Sequence, residues 1–344
     1  MQTTRLGRTN LTVGRTGFGA LPIQRVSFDE AKRLLVKACD AGVTLFDTAR
    51  GYSDSEEKIG FALAGVRRNI VITTKTSAVD RKGLLEHLAV SLRNMKTDYV
   101  DVLQLHNPKG LPATDDPESS WAGLVEAKRK GMIRFIGISS HVADVARKAV
   151  ESGLYDTLQY PLSSISSKTD LALIDLCRKH DVGLIAMKGM VGGLLTDARS
   201  AFAFLRQFDN VVPIWGVQRE HELDEFLRYE ANPPALDRDV LARIERDRAE
   251  LAGDFCRACG YCLPCPAEIP IPFAARMGLL LRRMPWQQFM TGEWNEKMHR
   301  IDRCTECGHC REHCPYGLDT PALLKKMLAN YEAFYDAHQQ GEAR

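Results

Sequence analysis

From the start of the chain to about residue 230, short apolar β-type runs alternate with longer segments of helical periodicity. The runs are Thr16–Leu21, Thr44–Ala49, Ile70–Thr76, Val100–His106, Phe135–Ser140, Thr157–Leu162, Gly183–Lys188 and Val211–Val217. Each is nearly continuously apolar, the pattern of parallel strands buried on both faces. The segment after the first run shows the helical half of the unit. Ser27 and Glu30 form a capping box, and Ala31, Leu34, Leu35, Ala38 and Cys39 fall at i, i+3, i+4, i+7 and i+8. Gly42 follows as a stop. Eight such units predict an α/β chain folded as a (β/α)8 TIM barrel, which typically needs roughly 250 residues. A doubly wound open sheet would place a glycine-rich fingerprint after its first strand. Gly17 and Gly19 lie inside that strand and no third glycine opens the helix, so the fingerprint is absent.

The pattern breaks at Asn232–Pro233–Pro234, where proline forbids helix continuation. Beyond it, Asp237 to Ala252 reads as a charged helix, and the rest of the chain has helical patterns without convincing strands. This predicts a barrel over residues 1–235 and a small all-α domain over 236–344.

Composition adds little until the cysteines are placed. With 44% hydrophobic residues among 344, the chain has an ordinary core-forming content, which excludes disorder. A net charge of +2 gives no electrostatic footprint for nucleic acid or an anionic membrane. The opening MQTTRLGRTNLTVG has no apolar signal-peptide core, and no run approaches a membrane span, so a soluble cytoplasmic protein is expected. Eight of the ten cysteines, however, crowd between positions 256 and 314. A secreted disulfide scaffold would be short and would not leave 250 residues nearly bare of cysteine, so the crowding points to a metal site.

The two motifs are Cys256-x2-Cys259-x2-Cys262-x2-Cys265-Pro266 and Cys304-x2-Cys307-x2-Cys310-x3-Cys314-Pro315. The second matches the bacterial ferredoxin run in full, and in two-cluster ferredoxins the fourth cysteine serves the other cluster. By that rule Cys256, Cys259, Cys262 and Cys314 form one ligand set, and Cys304, Cys307, Cys310 and Cys265 the other. Zinc is the competing assignment, but two four-cysteine runs ending in Cys-Pro suit two [4Fe–4S] clusters better. The helical stretch between the motifs resembles the all-α two-cluster ferredoxin arrangement. His309 and His313 are expected to face solvent, and Trp286 and Trp294 to pack the domain against the barrel. Cys39 and Cys177 lie on apolar helix faces and read as core.

Active residues of a barrel sit at or just after the C-terminal ends of strands. The ionisable residues there are Asp47, Tyr52, Lys75 and His106. Together they make a proton-donating device. A lysine ammonium beside the tyrosine would pull down its pKa, ordinarily near 10. Asp47 would orient Lys75, and His106 would position a carbonyl oxygen.

The text GVTLFDTARGY, SEEKIG, TKT, DVLQLHNP and IRFIGISS resembles the aldo-keto reductase family over essentially residues 1–230. The resemblance implies that Asp47, Tyr52, Lys75 and His106 are the catalytic tetrad, and that NADP(H) or NAD(H) reduces a small-molecule aldehyde or ketone. It also implies a nicotinamide site at Ser139, Ser140 and Gln159, and at Met187, Lys188 and Gly189. A phosphate grip would fall at Gly216, Gln218, Arg219 and Glu222. Several of these positions depart from the family pattern. Ser140 replaces an Asn, Met187-Lys188-Gly189 replaces an aromatic, Gln218 stands where an Arg is usual, and Phe226 replaces an Asn. Members with a C-terminal cluster domain form a recognisable subgroup, and CGYCLPCP looks like its version of the first motif. His141 follows the Ser pair and is placed either toward substrate or in an ordinary first helical turn.

Hydride transfer moves two electrons and needs no iron, whereas each cluster passes one. Three readings therefore stand. One is an NAD(P)H-dependent carbonyl reductase whose clusters are structural or exchange electrons with a ferredoxin or other redox partner. Another is a cluster-fed, one-electron reduction through a ketyl-type radical. The third is a non-catalytic electron-transfer protein, against which the intact tetrad argues.

Overall fold

The computed structural model describes residues 1–342. An antiparallel pair opens the chain, β1 (Thr3–Arg5) and β2 (Thr12–Gly14), with Thr3 opposite Gly14. The apolar pattern did not reveal this hairpin, because its strands have three residues each and lie outside the β/α repeat. Eight parallel strands follow: β3 (Gly17–Gly19), β4 (Leu45–Asp47), β5 (Val71–Thr76), β6 (Val100–His106), β7 (Ile133–Ser139), β8 (Thr157–Pro161), β9 (Gly183–Met187) and β10 (Val211–Gly216). They close in the order β10-β3-β4-β5-β6-β7-β8-β9. The expected (β/α)8 barrel is therefore the observed one. Where a strand is shorter than its apolar run, pairing sets its length: β3 keeps only the residues that meet β10 and β4.

The capping box at Ser27 and Glu30 starts the helix Phe28–Asp40, and Gly42 follows it at φ +93°. Ala31, Leu34, Leu35 and Ala38 are its buried face. At the N-terminal end of the barrel, Leu6, Leu11 and Val13 of the hairpin join Leu45, Val71, Ile185, Val212 and Ile214 in one buried cluster. Gly7 makes that closure possible. It sits at φ +51°, and a Cβ there would lie 2.1 Å from the Gly183 nitrogen. With one end plugged, the C-terminal strand ends are the mouth.

The chain divides into two compact units. The first comprises Met1–Gly189 and Asp197–Glu245; the second comprises Met190–Thr196 and the residues from Arg246 onward. Asn232–Pro233–Pro234 ends the helix Glu220–Ala231 as the sequence predicts. The next helix, Arg238–Glu250, then carries the chain from one unit to the other: its buried Val240 and Ile244 fall in the first and Asp247 in the second. The second unit is helical among the described residues, with Met277, Leu280, Leu281, Met298, Leu324 and Tyr331 buried in its core. Trp286 packs on Phe334 and His338, and Trp294 between Phe273 and Phe289. Both tryptophans thus have aromatic partners inside this unit. No helix among the described residues is long and apolar enough to cross a membrane.

Candidate functional site

Strand register builds the mouth. Asp47 ends β4 opposite Thr73, Lys75 on β5 faces Gln104 on β6, and His106 ends β6 opposite Ser139. Residues two apart on a strand share a face, so Thr73 accompanies Lys75 and Gln104 accompanies His106. The Lys75 ammonium is 1% exposed and Asp47 3%. Lys75 Nζ donates to Asp47 Oδ2 at 2.7 Å, to Asp47 Oδ1 at 2.9 Å and to the Thr48 carbonyl at 2.7 Å. All three of its donors are committed, so its influence on Tyr52 runs through charge. Its Nζ lies 5.1 Å from the Tyr52 ring centre. The Tyr52 and His106 rings meet edge to face at 5.8 Å.

These surroundings do not pull Tyr52 down as the sequence led us to expect. Burial raises its pKa above the ordinary value, and the Asp47 carboxylate raises it further. Burial, then the Lys75 charge, lowers His106 to about 3. Burial lowers Lys75 while its pair with Asp47 works against that. At neutral pH the mouth therefore presents a protonated phenol and a neutral imidazole, both able to donate a hydrogen bond.

Thr73 and Gln104 were missed in the sequence. Thr73 Oγ1 donates to Asp47 Oδ1 at 2.7 Å, and Gln104 Nε2 donates to Gln159 Oε1 at 2.8 Å. Both could have been found from the i, i+2 spacing to Lys75 and His106.

The positions expected around a nucleotide are mostly tied to the protein. Gln159 Nε2 donates to Asp47 Oδ2 at 3.3 Å. Ser139 Oγ bonds Leu105 O and Asn107 N, and Ser140 Oγ bonds the backbone of Val142. Met187 belongs to the buried barrel cluster, and Lys188 sits at φ +60°. Gly189 lies so close to Trp215 that a Cβ would stand 2.6 Å from the indole. Gly216 is exposed. The Glu222 carboxylate accepts the amides of Gln218 at 2.8 Å and Arg219 at 2.9 Å. Phe226 stacks on Trp215 at 4.4 Å and is buried, not at the surface. His141 is 5% exposed, and its amide donates to Asn107 Oδ1 at 2.8 Å. Burial and the nearby Lys188 charge hold its imidazole well below the ordinary range.

In the second unit the cysteines line two cavities. Cys262, Cys265, Cys304, Cys307 and Cys310 line one. Cys256, Cys259, Cys262, Cys310 and Cys314 line the other, so Cys262 and Cys310 face both. The two motifs share a backbone. Ala258 (φ +51°) and Glu306 (φ +52°) precede their second cysteines, and Gly260 (φ +84°) and Gly308 (φ +76°) follow them. Such left-handed turns form the amide concavities typical of iron–sulfur sites, and the Ala258 amide donates to Cys256 Sγ at 3.4 Å. Burial raises the Cys256 and Cys310 thiols and pushes Cys262 up to about 12. Among the described residues, no three His, Cys, Asp or Glu side chains converge on a single ion. The thiols stand around cavities instead, a lining that fits a cubane. Of the two remaining cysteines, Cys177 is buried as expected, whereas Cys39 is half-buried.

Comparison with known proteins adds the following. The model of the aldo/keto reductase family matches residues 10–203, and that of a 4Fe-4S dicluster domain matches residues 255–319. The NADH-specific methylglyoxal reductase of Escherichia coli strain K12 is 28% identical over 225 residues, covering 56% of this chain and 68% of that protein. The methylglyoxal reductase DkgA of the same strain is 34% identical over 121 residues, 34% of this chain and 43% of that one. A solved aldo-keto reductase from Klebsiella pneumoniae in complex with NADPH superimposes with a TM-score of 0.62 at 20% identity, over 71% of this chain and 94% of the other.

Proposed function

The chain belongs to the aldo/keto reductase family and carries a 4Fe-4S dicluster domain, and on that premise we propose that it reduces a small aldehyde or ketone with Tyr52 as proton donor. The observation that supports this most is the buried Lys75–Asp47 pair beside the Tyr52 ring, with His106 at its edge. Tyr52 holds its proton until the substrate oxygen takes it. The phenolate then develops on a ring whose centre lies 5.1 Å from the Lys75 ammonium, and the two opposite charges attract. That attraction is absent in the ground state, so it lowers the barrier. Neutral His106 donates a hydrogen bond to the same oxygen and orients it. Asp47, held by Thr73, Gln104 and Gln159, keeps Lys75 charged and fixed.

A bound nicotinamide nucleotide would supply the hydride. Ser139, Ser140 and Gln159 would hold its carboxamide end, and Lys188 and Arg219 offer cations for its phosphates. The name of the Escherichia coli relative supports a nicotinamide donor and a small carbonyl substrate. Cys256, Cys259, Cys262 and Cys314 would hold one [4Fe–4S] cluster, and Cys265, Cys304, Cys307 and Cys310 the second, each carrying single electrons.

One observation favours a second reading. The Glu222 carboxylate takes the amides of Gln218 and Arg219, where a phosphate would otherwise be gripped. In that reading a ferredoxin or similar partner delivers two electrons through the clusters, and the carbonyl is reduced in one-electron steps, with Tyr52 giving the proton to oxygen and a second proton from solvent reaching carbon. The anaerobic, cluster-loaded protein separates the two. Deuterium transfer from labelled NADPH or NADH to product supports the first; turnover on dithionite or reduced ferredoxin without nucleotide supports the second. Tyr52→Phe should cost about 10²–10⁴-fold in either case. Full activity in that variant would overturn both.

A further inference from the structure

A pair of histidines in the second cysteine motif is used by nothing described so far. His309 lines the cavity of Cys265, Cys304, Cys307 and Cys310, while His313 lines the cavity of Cys256, Cys259, Cys262 and Cys314. Their rings stack, with centroids 4.0 Å apart and planes 25° from parallel. His313 Nδ1 donates to the His309 carbonyl at 2.9 Å, since a carbonyl only accepts. That bond fixes one ring of the stack, and the stack fixes the other. His309 Nε2 is buried and has no hydrogen-bond partner in the protein. An imidazole nitrogen buried without a partner is left with its desolvation cost uncompensated. Such an atom is retained where something outside the polypeptide pairs with it. The cavity it lines has five cysteines on its wall, and a cluster bound there would bring sulfur acceptors into it.

We propose that His309 donates its Nε2–H to a sulfur of the cluster held by Cys265, Cys304, Cys307 and Cys310. The donor favours the reduced, more negative cluster and so raises its potential above that of the other. His313 is a positioning residue: it holds the His309 ring through the stack. The redox step is simple. One electron enters the cluster from an external low-potential donor, no bond breaks, and the proton stays on Nε2. The first motif has Tyr261 and Leu263 around Cys262, where the second has His309 before Cys310. The imidazole donor therefore stands at this position in the second motif alone, and in this proposal it makes two similar clusters unequal. An electron entering either site settles on the His309 side.

The inference rests on the cluster assignment, and one experiment separates the two failures. The full-length protein is loaded anaerobically, reduced with dithionite and examined by pulsed EPR with natural-abundance and ¹⁵N-histidine labelling. A histidine nitrogen coupling on one of the two clusters, present in His313→Phe and lost in His309→Phe, is the expected result. In redox titrations His309→Phe should make reduction of that cluster about tenfold harder, roughly 59 mV for one electron. His309→Gln, which restores an N–H, should recover part of it, and His313→Ala should lose part. A reduced wild-type spectrum with two clusters and no histidine coupling overturns the His309 donor alone. A protein with no 4Fe-4S signal at all overturns it together with the cluster assignment.

Discussion

The barrel mouth and the cysteine cavities solve the same problem, charge chemistry in a buried place, in opposite ways. In the mouth the protein supplies both halves of each interaction. Lys75 spends its three donors on Asp47 and Thr48, and Asp47 is held by Thr73, Gln104 and Gln159. In the cavities the protein supplies one half. Buried thiols are pushed toward the neutral form, backbone turns aim amides inward, and His309 Nε2 has no protein partner. The mouth is organised around its own ion pair, and the cavities around a group they must bind. A cation has to be present to hold those cysteines as thiolates. The barrel should therefore keep its structure without any cofactor, and the cluster unit should not.

Removing the clusters tests this contrast at its widest. Structural metal binding contributes on the order of 10 kcal/mol to small domains. Anaerobic chelation should abolish hydrogen-exchange protection across helices Met277–Arg283 and Gly292–His299 while strands β4 to β9 keep theirs. Equal protection with and without clusters would erase the distinction between the regions.

Asp47→Asn asks how far the mouth depends on its own pairing. The substitution leaves a Lys75 ammonium 1% exposed without its counter-charge, and breaking a buried pair from one side costs about 3–5 kcal/mol. Denaturant melts should show a lower midpoint with an unchanged slope. Adding Lys75→Met should recover most of the stability and none of the activity. An Asp47→Asn protein as stable as the parent would mean the pair is not what organises the mouth.

The two regions also differ in how far the sequence discloses them. The barrel is legible because β/α alternation is a repeating signal, and each of the eight apolar runs meets one strand, β7 alone starting two residues before its run. The N-terminal hairpin is not, since three-residue strands leave no periodicity to read. The two cavities mix the motifs: Cys265 lines one with Cys304 and Cys307, Cys314 lines the other with Cys256 and Cys259, and Cys262 and Cys310 line both. What spacing cannot show is environment. Tyr52 is raised and not lowered, because desolvation depends on everything packed around it. Gln159 and Glu222 occupy expected positions, yet their partners are protein groups from other strands and from the same turn. The unit boundary is blurred for a similar reason: a helix carries the chain across, and proline marks only a break in the helical pattern.

Acid separates the regions through His106. Its folded-state pKa lies near 3 against about 6.5 unfolded. Between those values the unfolded chain binds the additional proton. Stability is then complete above about pH 6.5 and falls as pH drops toward 3, by at most about 1.4 kcal/mol per pH unit from this group. His141, lowered for the same reason, adds in the same direction. His106→Gln should flatten the acid limb of barrel stability, followed by far-UV circular dichroism, and leave the limb above pH 7 unchanged. An acid limb as steep as the parent's would move the proton uptake elsewhere.

The finest test concerns the seam in the sequence where the contrast is least sharp, the segment Met190–Thr196. It follows β9 after Lys188 and Gly189, yet it clusters with the cysteine unit. Two arginines of that unit hold it by its carbonyls. Arg276, 5% exposed, donates Nη1 to Gly192 O at 3.0 Å and Nε to Pro272 O at 2.8 Å. Arg283 donates Nε to Leu194 O at 2.7 Å and pairs with Asp247 and Glu250. Gly192 is at φ +64°, and a Cβ there would lie 3.2 Å from Arg276 Nη1. The guanidinium therefore fits against bare backbone, and a lysine cannot reach both carbonyls with a planar fork. A charged hydrogen bond of this kind contributes about 1.5–3 kcal/mol. Arg276→Met should then speed amide exchange in Met190–Thr196 by about tenfold to a hundredfold, with β9 unchanged and Arg276→Lys intermediate. If exchange rises equally in β9, the segment is held as part of the barrel, and the seam between a self-paired region and a cofactor-dependent one lies beyond Thr196.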